Sequence, residues 1–243
     1  MSGVAVPVAQ RKVSQVLVVG FPVGAFQSNC YVLAPGEGQR CVIVDPGQDA
    51  VGGLEQQLAE HRLTPAGVLL THGHFDHVYS AEQVCRSYGV PAWIHPDDRY
   101  MLTDPAAGIG PMGKQLLGDL SAWPAPPEVR EIADGDVLDV AGLRFEVTHS
   151  PGHTGGSVLF GAGTDEGGRL VLAGDTLFAG AIGRTDMPGG DHGQMLRTLA
   201  ECVLPMDDEV VVLPGHGPTT TIGRERAENP FLQGLATPDG SAS

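Results

Sequence analysis

Short apolar runs alternate with amphipathic ones through the first third of the chain. "QVLVVGF" (15–21) and "NCYVLAP" (29–35) read as strands around a Gly/Pro turn region. "RCVIVDPG" (40–47) is a further apolar strand, closed by the turn signal Asp45-Pro46-Gly47. "VGGLEQQLAEHR" carries Val51, Leu54 and Leu58 at helical spacing. "AGVLLTH" reads as a strand, "SAEQVCRSYG" as a short helix closed by Gly89, and "VPAWIHP" as a strand again. This alternation predicts an α/β fold, a sheet covered by helices.

Residues 97–128 are rich in Gly and Pro and predict short helices and loops, a candidate lid over a cleft. Strands then return. "GDVLDVAGLRFEVTHSPG" predicts a hairpin turning at Ala141-Gly142, followed by "SVLFGAG" and "RLVLAGD". "HGQMLRTLAECVL" predicts a helix, "EVVVLPGHG" a last strand and "GRERAENPFLQ" a terminal helix. Residues 1–14 read as a flexible arm, 15–235 as one domain and 236–243 as a flexible tail. A faint internal echo runs through the chain: each half ends an apolar strand in His or Asp, which suits two packed sheets with helices outside.

The 243 residues are enough for one domain with a sizeable core. No apolar run approaches the roughly 20 residues that span a bilayer. The first residues lack a basic start followed by a long apolar core, so no signal peptide is read and a cytoplasmic location is expected. Cys30, Cys41, Cys85 and Cys202 form no CxxC pair and read as free or buried thiols. The net charge of −15 repels phosphate backbones and argues against nucleic acid as a partner. No membrane partner is expected, and the oligomeric state stays open.

The chemistry concentrates in "LLTHGHFDHVYSA" (69–81). Three further places repeat its design of an apolar strand, a tight Gly turn and a ligand-type residue: "VTHSPGHTGGS", "LVLAGDTLF" and "VVLPGHGP". The candidate ligands are His72, His74, Asp76, His77, His153, Asp175 and His216. Imidazole and carboxylate suit zinc and other borderline metals. Residues at the carboxyl ends of strands converge on one crevice in α/β sheets. His72 and His74, two apart, point the same way from an extended segment. Asp76 and His77 lie further on and can serve a neighbouring ion, with Asp175 able to bridge. Two such ions about 3.5–4 Å apart could share a water and lower its pKa towards about 7. The remaining histidines, His61, His95, His149 and His192, lack this setting and read as structural or surface groups.

"THGHFDH" with a later His, Asp and His resembles the metallo-β-lactamase superfamily. The resemblance implies an αββα sandwich, two mixed sheets with outer helices and a metal site at one edge. It places His72, His74 and His153 on a first metal, Asp76, His77 and His216 on a second, and Asp175 between them. "QSNCYVLAP", "VIVDPG", "PGHTGGS", "AGDTLFAGAIGRTDMPGGD" and "LPGHGPTTTIGRERAENPFL" are similar to glyoxalase II-like hydrolases of the short bacterial type, from about Asn29 to Leu232. Common zinc β-lactamases carry a cysteine at the position of Asp175. Lactonases of the superfamily carry a tyrosine at the position of Phe178. Only 27 residues follow His216, so the helical domain that helps full-length glyoxalase II bind glutathione is largely missing.

The resemblance implies a metal-dependent thioester hydrolase with a hydroxyacyl-thiol substrate and a metal-bridging hydroxide as nucleophile. Two divalent ions are expected, zinc first, with iron or manganese as alternatives. Asp76 would hold the attacking oxygen in line, and Thr71, Thr154 and Asp45 would support the ligands from behind. Arg184, on a Gly-flanked turn, could clamp a substrate carboxylate or carbonyl, against a local salt bridge to Asp186. The alternative is a persulfide dioxygenase on the same fold, with one iron held by His72, His153 and Asp175.

Overall fold

In β2 (Ser28–Ala34), Cys30, Val32 and Ala34 face one core while Tyr31 and Leu33 face another. β3 (Arg40–Val44) divides likewise, Cys41 and Ile43 to one side, Val42 and Val44 to the other. Strands apolar on both faces, with side chains alternating at period two, must be covered on both sides. That requirement produces the layered architecture of the computed structural model, which describes residues 16–110, 123–164 and 167–235.

The first sheet comprises β1 (Leu17–Val23), β2, β3, β4 (Thr64–Leu69), β5 (Ala92–Ile94) and β6 (Val129–Glu131), side by side in chain order. β1 to β3 pair antiparallel and β3 to β6 parallel. The second comprises β7 (Val137–Val140), β8 (Leu143–His149), β9 (Val158–Gly163), β10 (Arg169–Gly174), β11 (Val211–Pro214) and β12 (Thr220–Thr221), again in order. Only its β10–β11 pair is parallel. Between the sheets lie Leu33, Val44, Leu69, Phe145, Phe160, Leu170 and Leu172. Each such side chain, fully buried, contributes roughly 1.5–3 kcal/mol.

Helices close the outer faces. α1 (Ala50–Glu60) buries Ala50, Leu54 and Leu58 against the first sheet, and α3 (Ala81–Tyr88) adds Val84 and Cys85. The short α2 (Phe75–Val78) precedes α3. On the second sheet, α4 (His192–Thr198), prolonged by a π-helical turn over Leu199–Val203, and α5 (Ile222–Glu228) bury Met195, Leu199, Val203 and Ile222. The expected αββα sandwich of two mixed sheets is therefore present.

Several details differ from the sequence reading. The helix expected over 192–204 changes to π geometry after Thr198, whose hydroxyl donates to Pro151 O at 2.6 Å. The terminal helix stops at Glu228 because Asn229 precedes Pro230 and turns extended, at φ −76° and ψ 118°. β6 and β12, of three and two residues, are too short to show a period. Of the region read as short helices, loops and a lid, residues 96–102 form a 3-10 helix and 111–122 lie outside the described residues, as do the expected arm and tail. Cys30, Cys41 and Cys85 are buried, Cys202 is half-buried, and all four are free. Burial pushes the Cys41 and Cys85 thiols up to about 12. Among the described residues, no helix is long and apolar enough to cross a membrane.

Candidate metal centre

β4 ends at Leu69, and the extended Leu70–His74 stretch carries His72 and His74 into the opening of α2, whose first turn holds Asp76 and His77. His153 lies on the β8–β9 connection, Asp175 directly after β10, and His216 two residues after β11. Parallel pairing of β3 with β4, and of β10 with β11, sends those carboxyl ends in common directions. The two sheets are stitched together there. Asn29 N–H donates to Gly215 O at 2.7 Å, and its amide donates to Pro214 O and Gly217 O, both at 2.9 Å. Tyr31 OH donates to Pro214 O at 2.8 Å, and Val158 N–H to Thr71 O at 2.8 Å.

The structure brings all seven sequence-derived candidates together. The nitrogens of His72, His74 and His153 lie within 4.8 Å of one another, as do the ligand atoms of Asp76, His77 and His216. Asp175 stands between the groups: Oδ2 is 3.5 Å from His153 Nε2 and 3.6 Å from His216 Nε2, and Oδ1 is 3.4 Å from His77 Nε2.

Outer partners fix how three of the rings face. His153 Nδ1 is 2.7 Å from Arg184 O, which can only accept, so that nitrogen carries the proton. His77 Nδ1 donates to Asp45 Oδ2 at 3.0 Å. The Thr71 hydroxyl spends its one hydrogen on Asp45 Oδ2 at 2.6 Å, and so accepts from His72 Nδ1 at 3.0 Å. Each ring thus donates outward through Nδ1 and turns Nε2 inward, the nitrogen that an ion would take. His72 Nε2 and Asp175 Oδ1 are buried without a hydrogen-bond partner. His153 Nε2 lies 2.8 Å from His74 Nδ1, and His77 Nε2 3.3 Å from His216 Nε2. Buried ring nitrogens and carboxylate oxygens converging in this number are costly unless protons or cations lie among them. Nitrogen and oxygen donors in this number fit zinc or another borderline divalent ion.

The electrostatics divide the site. Burial lowers the pKa of His72, and takes His74 to about 3 and His153 to about 4, leaving an all-imidazole half that is neutral. Burial alone would also lower His77, but Asp76, Asp175 and Asp45 outweigh it and raise the ring to about 10. Burial would raise Asp76, yet His77 and His216 hold it below the usual carboxylate range. Asp175 is raised, chiefly by burial.

Asp45, expected as a supporting residue, takes Thr71 N–H as well, at 2.8 Å, from a left-handed backbone at φ 48°. A second carboxylate escaped the sequence reading. Buried Asp98 accepts from Gly73 N–H, Gly156 N–H (both 2.8 Å) and Thr154 OH (2.6 Å). It clamps the His72–His74 segment to the His153 loop. Glu225 and Asn229 were missed too: Glu225 accepts from Gly180 N–H at 2.7 Å, and Asn229 donates to Ala181 O at 3.1 Å, fixing the loop after Asp175. Their only signals were "HPDD" and "RERAEN", polar residues beside helix starts or ends, which have many other uses.

A cavity of about 670 Å³ opens over the centre, between His74, Asp76, His153, Asp175 and His216 and an apolar wall. Arg184 lines it, with Nε and a terminal nitrogen bonded to Asp186 at 2.7 and 2.8 Å. The local salt bridge is therefore formed. Of the other histidines, His61 is buried at the end of α1, His95 and His149 stack with centroids 4.2 Å apart, and His192 opens α4. None of them joins the centre.

The sequence profile described as the metallo-beta-lactamase superfamily matches residues 23–216, and the chain belongs to that family. An uncharacterized protein of Mycobacterium tuberculosis is 50% identical over 90% of this chain and 99% of its own. The hydroxyacylglutathione hydrolase GloC of Haemophilus influenzae is 36% identical over 87% of this chain and 95% of its own. Among solved structures, BLEG-1, described as a B3 metallo-beta-lactamase, superposes with a TM-score of 0.78 at 35% identity, covering 90% of this chain and 100% of that one. The chain is thus similar to proteins of more than one described activity within one metallo-hydrolase superfamily.

Proposed function

We propose that the protein is a binuclear metallo-hydrolase that cleaves thioesters. The observation that carries this is the convergence of seven ligand-type side chains in two groups about Asp175, with the rings of His72, His77 and His153 oriented by outer hydrogen bonds. His72, His74 and His153 would hold one ion and Asp76, His77 and His216 the other, with Asp175 shared. When bound, the ions supply Lewis-acid polarisation of the substrate carbonyl and acidify the attacking water.

The chain's own residues do the rest. Asp76 faces the cavity with its carboxylate about a fifth exposed, and it orients the attacking water. Asp45, through Thr71 and His77, and the Arg184 carbonyl, through His153, keep the imidazole protons outside. A thiol leaving group, with a pKa of roughly 8.5, departs as the thiolate without a strong acid. That matches a cavity in which, among the described lining residues, no proton donor stands apart from the ligand set except Arg184. The likeness to GloC supports the reading.

A panel of thioesters, a β-lactam and a persulfide with oxygen uptake, run on metal-loaded enzyme, tests the proposal. Thioester turnover well above the other two is expected. Oxygen-coupled persulfide consumption, or lactam cleavage without thioester cleavage, overturns it.

A further inference from the structure

The part of the cavity away from the ligands carries a chemical preference. Phe26, Phe75, Ile109, Phe178 and Met187 form its wall. Phe26 is 56% exposed at the tip of the β1–β2 turn, and that turn is fastened by Ala25 N–H to Gln48 Oε1 at 3.3 Å. A fixed aromatic ring left largely in water gains free energy when an apolar group covers it. The charge on the wall points the same way. Arg184 is the one cation among the described lining residues, and its fork is occupied by the Asp186 carboxylate through two hydrogen bonds. The pair is neutral towards a ligand, and the chain around it carries a net charge of −15. A thiol carrier with several carboxylates or phosphates would find no spare cation among the described lining residues.

We propose that the substrate is an apolar acyl thioester of an uncharged thiol, its chain lying against Phe26, Ile109, Phe178 and Met187. The inference rests on the thioesterase reading and narrows it. It also assigns Asp186 a role in specificity, by holding Arg184 away from anionic substrates.

The test uses metal-loaded enzyme with acetyl, butanoyl and hexanoyl thioesters of N-acetylcysteamine, and the same acyl groups on 3-mercaptopropionate. kcat/KM rises at least about tenfold from acetyl to hexanoyl as methylenes are buried. It falls about threefold or more when the thiol bears the carboxylate. Phe26→Ala flattens the chain-length profile. Asp186→Asn frees Arg184 and narrows the gap between the two thiol series. A flat chain-length profile, or a preference for the anionic thiol, overturns this inference and leaves the thioesterase reading standing. Absence of turnover across both series, with lactam or persulfide turnover in its place, removes the thioesterase reading and this inference with it.

Discussion

Asp98 touches none of the seven ligand-type side chains, yet it joins the two segments that carry three of them. Its partners, Gly73 N–H on one side and Gly156 N–H with Thr154 OH on the other, come from opposite sheets. Asp98→Asn replaces one acceptor oxygen by a donor, setting N–H against N–H or O–H. Metal affinity should fall about 10–100-fold, the usual cost of losing such an outer partner, while the fold persists. Competition with a chromophoric chelator measures it, and wild-type affinity in the variant would deny Asp98 that role. Asp76→Ala should lower kcat by at least about a hundredfold, because it removes an ion ligand and the group that places the attacking water, with an unchanged circular dichroism spectrum. The seven candidates were legible because ligand-type residues followed apolar strands at glycine turns. Asp98 was not, because its contacts are backbone N–H groups 25 and 58 residues away, which leave no local pattern.

At the scale of elements, the turns are as specific as the ligands. A Cβ at Gly215, between β11 and His216, would overlap Asp175 Oδ1 and sit 2.8 Å from His77 Cε1. Gly215→Ala should therefore push the bridging carboxylate aside and cost at least about tenfold in activity, since displacements of about 1 Å are expensive in such sites. Steady-state kinetics at saturating metal checks this, and full activity would mean that the turn can relax. The strands were readable as continuous apolar runs where both faces are buried, as in β2 and β3, and as alternation where one face meets solvent, as in β8. β5, β6 and β12 had too few residues to alternate, and of these only β5 stood out, as an apolar run. The end of α5 was set by one proline, whose effect on Asn229 the helical pattern concealed.

Over the whole molecule, the centre lies where two sheets meet, and Asn29 ties them through three hydrogen bonds. Asn29→Ala removes the two amide hydrogen bonds and should destabilise the protein by roughly 1–3 kcal/mol, at about 0.5–1.5 kcal/mol for each. Urea denaturation measures this, and an unchanged midpoint would show that the seam holds without it. Bound ions should stabilise the fold by mass action, because the crowded donors exist only in the folded chain. Chelation should lower Tm, and returning zinc should restore it. The sandwich was legible from the family resemblance and the strand series together. The lid expected over 97–128 rests on glycine and proline content without a period, and residues 111–122 lie outside the described residues.

The central claim, two cations in one centre, is met most directly by counting metal. Elemental analysis of the purified chain, dialysed after saturation with zinc, should give two ions per chain, and one or none for variants lacking Asp175. One ion per chain at saturation in the wild-type protein, or two that persist when Asp175 is replaced by Ala, would contradict the account.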